Sequence, residues 1–153
     1  LEEETKAEIL EELDSEPKSE VEELLDFHED SAGGMMFTDC IALPVSASVA
    51  DALAAARQKT ELLEYQNLIM LTDAAGKLTA AVPLARLFAA EPSSPLRSLA
   101  LSDLIHVQTG ARERHITELF DKYNLITLPV THSDGRLAGV ITADDVISVL
   151  RQR

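Results

Sequence analysis

Apolar positions along this chain change their spacing at one clear point. Through the first 30 residues they recur at helical intervals: Ile9, Leu10 and Leu13 share one face, and Val21, Leu24 and Leu25 share another after Ser19. Pro17 separates the two patterns and Ser19 with Glu22 makes a capping box, so two short helices are predicted, neither with enough apolar surface to stand alone. Gly33-Gly34 follows. Glycine reaches positive φ cheaply, so the pair is read as the end of the helical region and as a domain boundary.

Beyond that boundary short apolar runs alternate with helical stretches, and the order repeats. Sliding 68–87, LIMLTDAAGKLTAAVPLARL, by 59 residues lays it on 127–146, TLPVTHSDGRLAGVITADDV, with Gly76 on Gly135, Lys77 on Arg136 and Leu78 on Leu137. Each copy predicts a strand, a polar turn containing Gly, a second strand and a helix: strands at 68–71 and 78–82, then at 128–130 and 137–141. The closing helices are expected to start with Pro83 in a first-turn position and with Thr142 as an N-cap. Upstream lie helical patterns at 49–59 after Ser48 and at 112–123 after Gly110, each preceded by a short apolar strand, 41–45 and 105–108. The unit is β-α-β-β-α, twice, an α/β (α+β) chain. It divides into an acidic helical tail with a hinge (1–35), a first repeat (36–95) and a second (96–153). Two half-covered sheets would bury their open faces against each other, so the pair is the stable object.

Composition adds limits. With 46% hydrophobic and 26% charged residues the 153-residue chain can bury a core, and no run approaches the ~18 apolar residues of a membrane span. The N-terminus lacks the basic-then-apolar order of a signal peptide. The chain opens on Leu1 and stops within a helical pattern at Arg151-Gln152-Arg153, so it is expected to be a piece of a longer protein. Cys40, the single cysteine, allows no internal disulfide and is read as small apolar filler.

Charge is divided unevenly. Residues 1–30 hold 14 Asp and Glu against Lys6 and Lys18, a net of −12, while the other 123 residues carry a net of −2. Such a balance argues against nucleic acid, whose phosphates need Lys and Arg clusters, and favours cations or basic partners, with a solvated helical face as the plainer alternative. No Ser-His-Asp or Cys-His arrangement, Walker loop or GxGxxG motif is present, which speaks against an enzyme. His28, His106 and His132 are scattered with no metal-ligand spacing.

The unit closed by LPVTHSDGRLAGVITADDVISVL resembles a pair of cystathionine-β-synthase (CBS) domains, over about residues 36–153. With EDSAGGMMFTD ahead of the first repeat and FDKYNLITLPV leading the second hairpin, it is similar to the cytosolic part of MgtE-type magnesium transporters. That resemblance implies a regulatory module on the cytoplasmic face of the inner membrane, followed after Arg153 by a connecting helix and a transmembrane pore, and associated as a homodimer through the CBS pair. It also implies that Mg²⁺ screens repulsion between an acidic N-domain and the CBS pair, holding a closed arrangement that opens when the ion is scarce. Hard Mg²⁺ keeps several waters and needs few carboxylates. Gly33-Gly34 would be the hinge. Asp145, with Asp144 and Asp39 on the same acidic edge, is the candidate metal contact, weighed against a plain role for Asp144-Asp145 at a helix N-terminus. Asn124 and His115 stand where the family shows acids, so one family ion site looks weakened.

A second reading is an adenine-nucleotide sensor. CBS pairs of this kind hold ribose and phosphate with a Thr and an Asp, here Thr142 and Asp145, while backbone near Ile126 to Pro129 meets the base. The first repeat offers Pro83 and Arg86 at those positions, so one site per chain is expected, with Thr142 as a simple N-cap the alternative. A third reading is a dimerisation scaffold that binds nothing.

Overall fold

The computed structural model describes residues 30–152. The two helices and the Ser19–Glu22 capping box expected from the sequence fall outside the described residues. A one-turn helix, α1 (Ala32–Met35), opens the described chain. The first repeat then runs β1 (Ala42–Pro44), α2 (Val49–Gln58), β2 (Leu68–Thr72) and β3 (Leu78–Pro83); the second runs β4 (Val107–Gln108), α3 (Glu113–Tyr123), β5 (Thr127–Thr131), β6 (Leu137–Thr142) and α4 (Ala143–Arg151). Each repeat forms a three-stranded sheet in chain order, its first two strands parallel and its last two antiparallel.

Local chemistry accounts for most of these elements. The Ser48 hydroxyl accepts from the Asp51 N–H and the Asp51 carboxylate accepts from the Ser48 N–H at 2.9 Å, so α2 starts on a capping box and buries Val49, Ala52 and Ala56. Helix α3 buries Ile116 and Phe120 and ends on Asn124 at φ 52°, a left-handed position that asparagine tolerates. Both hairpins turn on glycines at positive φ, Gly76 at 84° and Gly135 at 93°, the two positions that coincide under the 59-residue shift.

Each repeat's core is finished by residues from outside it. The turn Leu96–Leu99 opens the second repeat in sequence, yet Leu96 is fully buried in the first repeat's core beside Val49, Ile69 and Val82. The Leu96 N–H donates to the Ala47 carbonyl at 2.9 Å and Leu101 adds to β3 by donating to Ala81. Helix α1 reciprocates. Ala32 is fully buried against Ile116, Leu128 and Val146, the Ala32 and Gly33 N–H groups donate to the Ala111 and Thr109 carbonyls at 2.8 Å, and Phe37 pairs with Val140 on β6. A third cluster, Leu68, Met70, Ala81 and Val140, fills the seam between the sheets. The hairpin tips meet there too, with Leu78 donating to Gly135 and Leu137 donating to Gly76, both at 3.0 Å.

Three local expectations are corrected. Gly33-Gly34 does not end a helix through positive φ; it lies inside α1, whose leading N–H groups are satisfied by the second repeat. Pro83 is not a first-turn residue but closes β3 at ψ 131°, and Leu84–Ala89 is a 3₁₀ turn rather than a full helix. No side chain caps that turn, and Pro92 lies just beyond it. Strand β4 is only two residues long because Pro129 stands where Met70 stands in the first repeat. The Met70 N–H donates to Ile41 at 2.8 Å, and proline has none to give.

Candidate functional site

Thr142 is 1% exposed and caps α4. Its backbone N–H donates to Asp145 Oδ2 at 2.8 Å, its hydroxyl donates to the same oxygen at 2.9 Å, and the Asp145 N–H reaches back to Thr142 Oγ1 at 3.4 Å. One carboxylate oxygen of Asp145 is therefore committed to the cap. Asp144, beside it in the first turn, is exposed and makes no hydrogen bond or ion pair among the described residues. Ile126 is half exposed and its carbonyl accepts from the Ala143 N–H at 2.9 Å, so Ile126, Thr142 and Asp145 gather around the start of α4. Pro129 does not join them; it is buried in mid-strand opposite Val140.

Asp39 is answered by Lys59, whose ammonium donates to Asp39 Oδ1 at 2.8 Å and to the Cys40 carbonyl at 3.2 Å. The Asp39 hydrogen bond holds the Lys59 ammonium above the ordinary lysine range. Burial pushes the neighbouring Cys40 thiol up, outweighing the pull of Lys59, which keeps it a neutral filler. Among the described residues no three His, Cys, Asp or Glu side chains converge as a metal centre. Asp39, Asp144 and Asp145 are not gathered into one. His115 is exposed and Asn124 serves as the α3 cap.

Two concavities flank α4. A groove of about 390 Å³ between α3 and α4 is lined by Phe120, Leu125, Val146, Ile147 and Leu150, with Asp121 and Asn124 at its polar side. A smaller cavity of about 220 Å³ lies among Phe37, Asp39, the 3₁₀ turn Thr60–Glu64, Tyr65, Gln66 and Thr142. The sequence reading reached Asp39 and Thr142 but missed Phe37, Glu61, Tyr65 and Gln66. The available signal was the polar pair Gln66-Asn67 placed directly before the apolar strand β2. Gln66 is 4% exposed; its Nε2 donates to the Asp39 carbonyl at 2.9 Å while its Oε1 has no partner. At the first-repeat position equivalent to Asp145, Arg86 Nη1 donates to the Leu99 and Ala100 carbonyls at 2.9 and 3.2 Å, a staple onto the start of the second repeat.

Doubled sheet-and-helix units, exchanged opening turns and a Thr-x-x-Asp helix start together define a CBS-domain pair. Residues 96–152 match the CBS domain family and belong to it. Beyond that, the chain is homologous to the cytosolic part of MgtE magnesium transporters. It is 30% identical over 138 residues, 90% of its length, to the magnesium transporter MgtE of Thermus thermophilus, and covers 31% of that protein. It is 25% identical to the magnesium transporter MgtE of Enterococcus faecalis over 89% of its length and 30% of that protein's. The chain thus spans about a third of the relatives it matches. In structure it is similar to the cytosolic domain of the Mg²⁺ channel MgtE in complex with ATP, with a TM-score of 0.76 at 30% identity, over 90% of this chain and 55% of that one. No helix of the described residues is long and apolar enough to cross a membrane.

Proposed function

We propose that this chain is a regulatory, non-catalytic module of a magnesium or other divalent-cation transporter, working on the cytoplasmic side of a membrane-embedded pore supplied by another part of the protein. The observation that carries the reading is the 30% identity to MgtE across 90% of the chain. The chemistry supports it. Asp144 on α4 and Asp121 on α3 are exposed carboxylates of the second repeat, neither engaged within the described residues. Mg²⁺ holds most of its waters and needs only one or two such oxygens from each side, so a half-site on this module closed by carboxylates from residues 1–29 fits the ion.

When bound, the ion supplies positive charge between two like-charged surfaces; the residues of this chain supply the surfaces. The acidic segment leaves the described fold at Asp30, whose carbonyl accepts from the Glu113 N–H at 3.0 Å and whose carboxylate lies 3.8 Å from Arg112. Ala32 and Gly33 are bonded to the second repeat, so the pivot for any movement lies N-terminal to Ser31, or else the turn holding Gly33 and Gly34 must first release those two bonds. A second copy of the chain completes the assembly as a homodimer through the CBS pair. An adenine nucleotide at Thr142 and Asp145, with Ile126 beside them, is the alternative ligand reading; its support is the ATP complex of the structural relative.

The test is a thermal melt in MgCl₂ against NaCl at matched ionic strength. A bound ion raises the melting temperature by mass action, whereas monovalent salt only screens. Because Asp145 serves the α4 cap, the informative variants are Asp144→Asn and Asp121→Asn. The magnesium-specific rise is expected to shrink in both and to vanish when residues 1–29 are removed. Identical melts in the two salts would overturn the reading.

A further inference from the structure

The cavity beside Thr142 is chemically unsuited to a phosphate. Its volume of about 220 Å³ falls below the ~300 Å³ at which sites for drug-sized ligands begin. Asp39 and Glu61 stand in its lining, and Asp145 lies directly behind Thr142, bonded to its hydroxyl. Neither Lys nor Arg lines it among the described residues. The nearest ammonium, Lys59, is already held by the Asp39 carboxylate and the Cys40 carbonyl. A phosphate would meet the Asp39 and Glu61 carboxylates, with Asp145 behind Thr142, and no free cation to receive it.

What the cavity does offer is two half-exposed aromatic rings, Phe37 at 54% and Tyr65 at 49%, the apolar Leu62, the exposed Glu61 carboxylate, which feels the Lys59 charge but makes no hydrogen bond or ion pair among the described residues, and Gln66, a wall residue whose Oε1 is buried without a hydrogen-bond donor. Every unmet feature asks for a donor or a positive charge. Aromatic faces attract cations, and carboxylates pair with them.

We propose that this cavity between the Phe37–Asp39 segment, the Thr60–Glu64 turn and the start of α4 is a site for a small organic cation with a flat apolar body, of the amine or amidine class. The inference is independent of the magnesium reading and competes directly with the nucleotide alternative at Thr142. An ammonium or amidinium fits between Glu61 and the ring faces while the apolar body fills the space against Leu62.

A matched series of probes isolates charge from shape: benzamidine, the neutral benzamide and the anionic benzoate, with AMP as a fourth arm. Binding is followed on the full chain by NMR, through the Gln66 side-chain amide and the backbone of Phe37 and Tyr65. Benzamidine is expected to shift these signals with millimolar affinity, about tenfold tighter than benzoate, with benzamide between them. Glu61→Gln, an exposed substitution, should weaken benzamidine about three- to tenfold and leave benzamide unchanged. Tyr65→Ala should weaken both. Benzoate binding as well as benzamidine, AMP shifting the same signals, or no shift from any probe would each overturn the proposal, and none of those outcomes bears on the magnesium melt.

Discussion

The two repeats are the same chain of elements solved with different end chemistry. At the start of the closing helix the second repeat has Thr142-x-x-Asp145, a reciprocal cap, and a nine-residue α-helix follows. The first has Pro83-x-x-Arg86, no side-chain cap, and a 3₁₀ turn. Arg86 points its hydrogen bonds at the linker carbonyls of Leu99 and Ala100 instead. One repeat thus keeps an acidic helix start beside a cavity, and the other converts the equivalent position into a clasp. A further difference sits on the third strand, where Gly139 takes the place of Ala80: a Cβ at 139 would intrude on the Phe37 carbonyl, which is paired there with Val140. A pseudo-symmetric fold can hold a functional site in one half because the other half is free to spend the same positions on fastening.

The sharpest way to break the comparison is Leu96→Ala. Leu96 belongs to the second repeat by sequence and to the first by packing, and it is fully buried. A loss of about 2–5 kcal/mol is expected from urea unfolding. Hydrogen exchange should show the loss of protection in α2 and β2 of the first repeat, not in α3. Loss confined to the second repeat would mean that the opening turns are not exchanged.

A smaller effect should come from the cap. Thr142→Ala should cost about 1–2 kcal/mol by removing the α4 capping box, and Arg86→Ala about 1 kcal/mol by freeing two carbonyls that are already near solvent. Circular dichroism should register helix loss in the first variant only. Equal helix loss in both would show that the Leu84–Ala89 turn depends on its clasp as strongly as α4 depends on its cap.

The smallest effect is the response to alkali near Asp39. Lys59 and Cys40 both bind their protons more firmly when folded, Lys59 through Asp39 and Cys40 through burial. Each contribution is present below the group's ordinary value and is lost as pH rises through the raised one, so stability falls in the alkaline direction. The decline should begin near the ordinary thiol value, about pH 8.5, and steepen near the lysine value, about pH 10.4. Cys40→Ala should remove the early part and Lys59→Met the later one, each by less than ~1 kcal/mol because the ion pair is partly solvated. A melting temperature that rises across this range would contradict both assignments.

Periodicity and turn chemistry carried much of this protein. The 59-residue self-similarity, the glycines that must adopt positive φ at 76 and 135, the Ser48 and Thr142 caps and the apolar runs of β2 and β5 are all local statements, and each depends on interactions within a few residues. Residues that resemble MgtE were legible for the same reason, as an ordered string of motifs. What the string could not show was which half each piece would complete. Ala32, ahead of the first repeat, and Leu96, at the start of the second, are unremarkable small and apolar positions in sequence, and their burial in the second and the first repeat's core respectively goes with the pairing of Phe37 with Val140 and of Leu101 with Ala81. The cavity at Thr142 likewise exists only because α1's neighbour Phe37, the turn after α2 and the start of α4 are brought to one place by that exchange. Local chemistry fixes the elements. The burial of two incomplete cores, which neither repeat can achieve alone, decides where they meet.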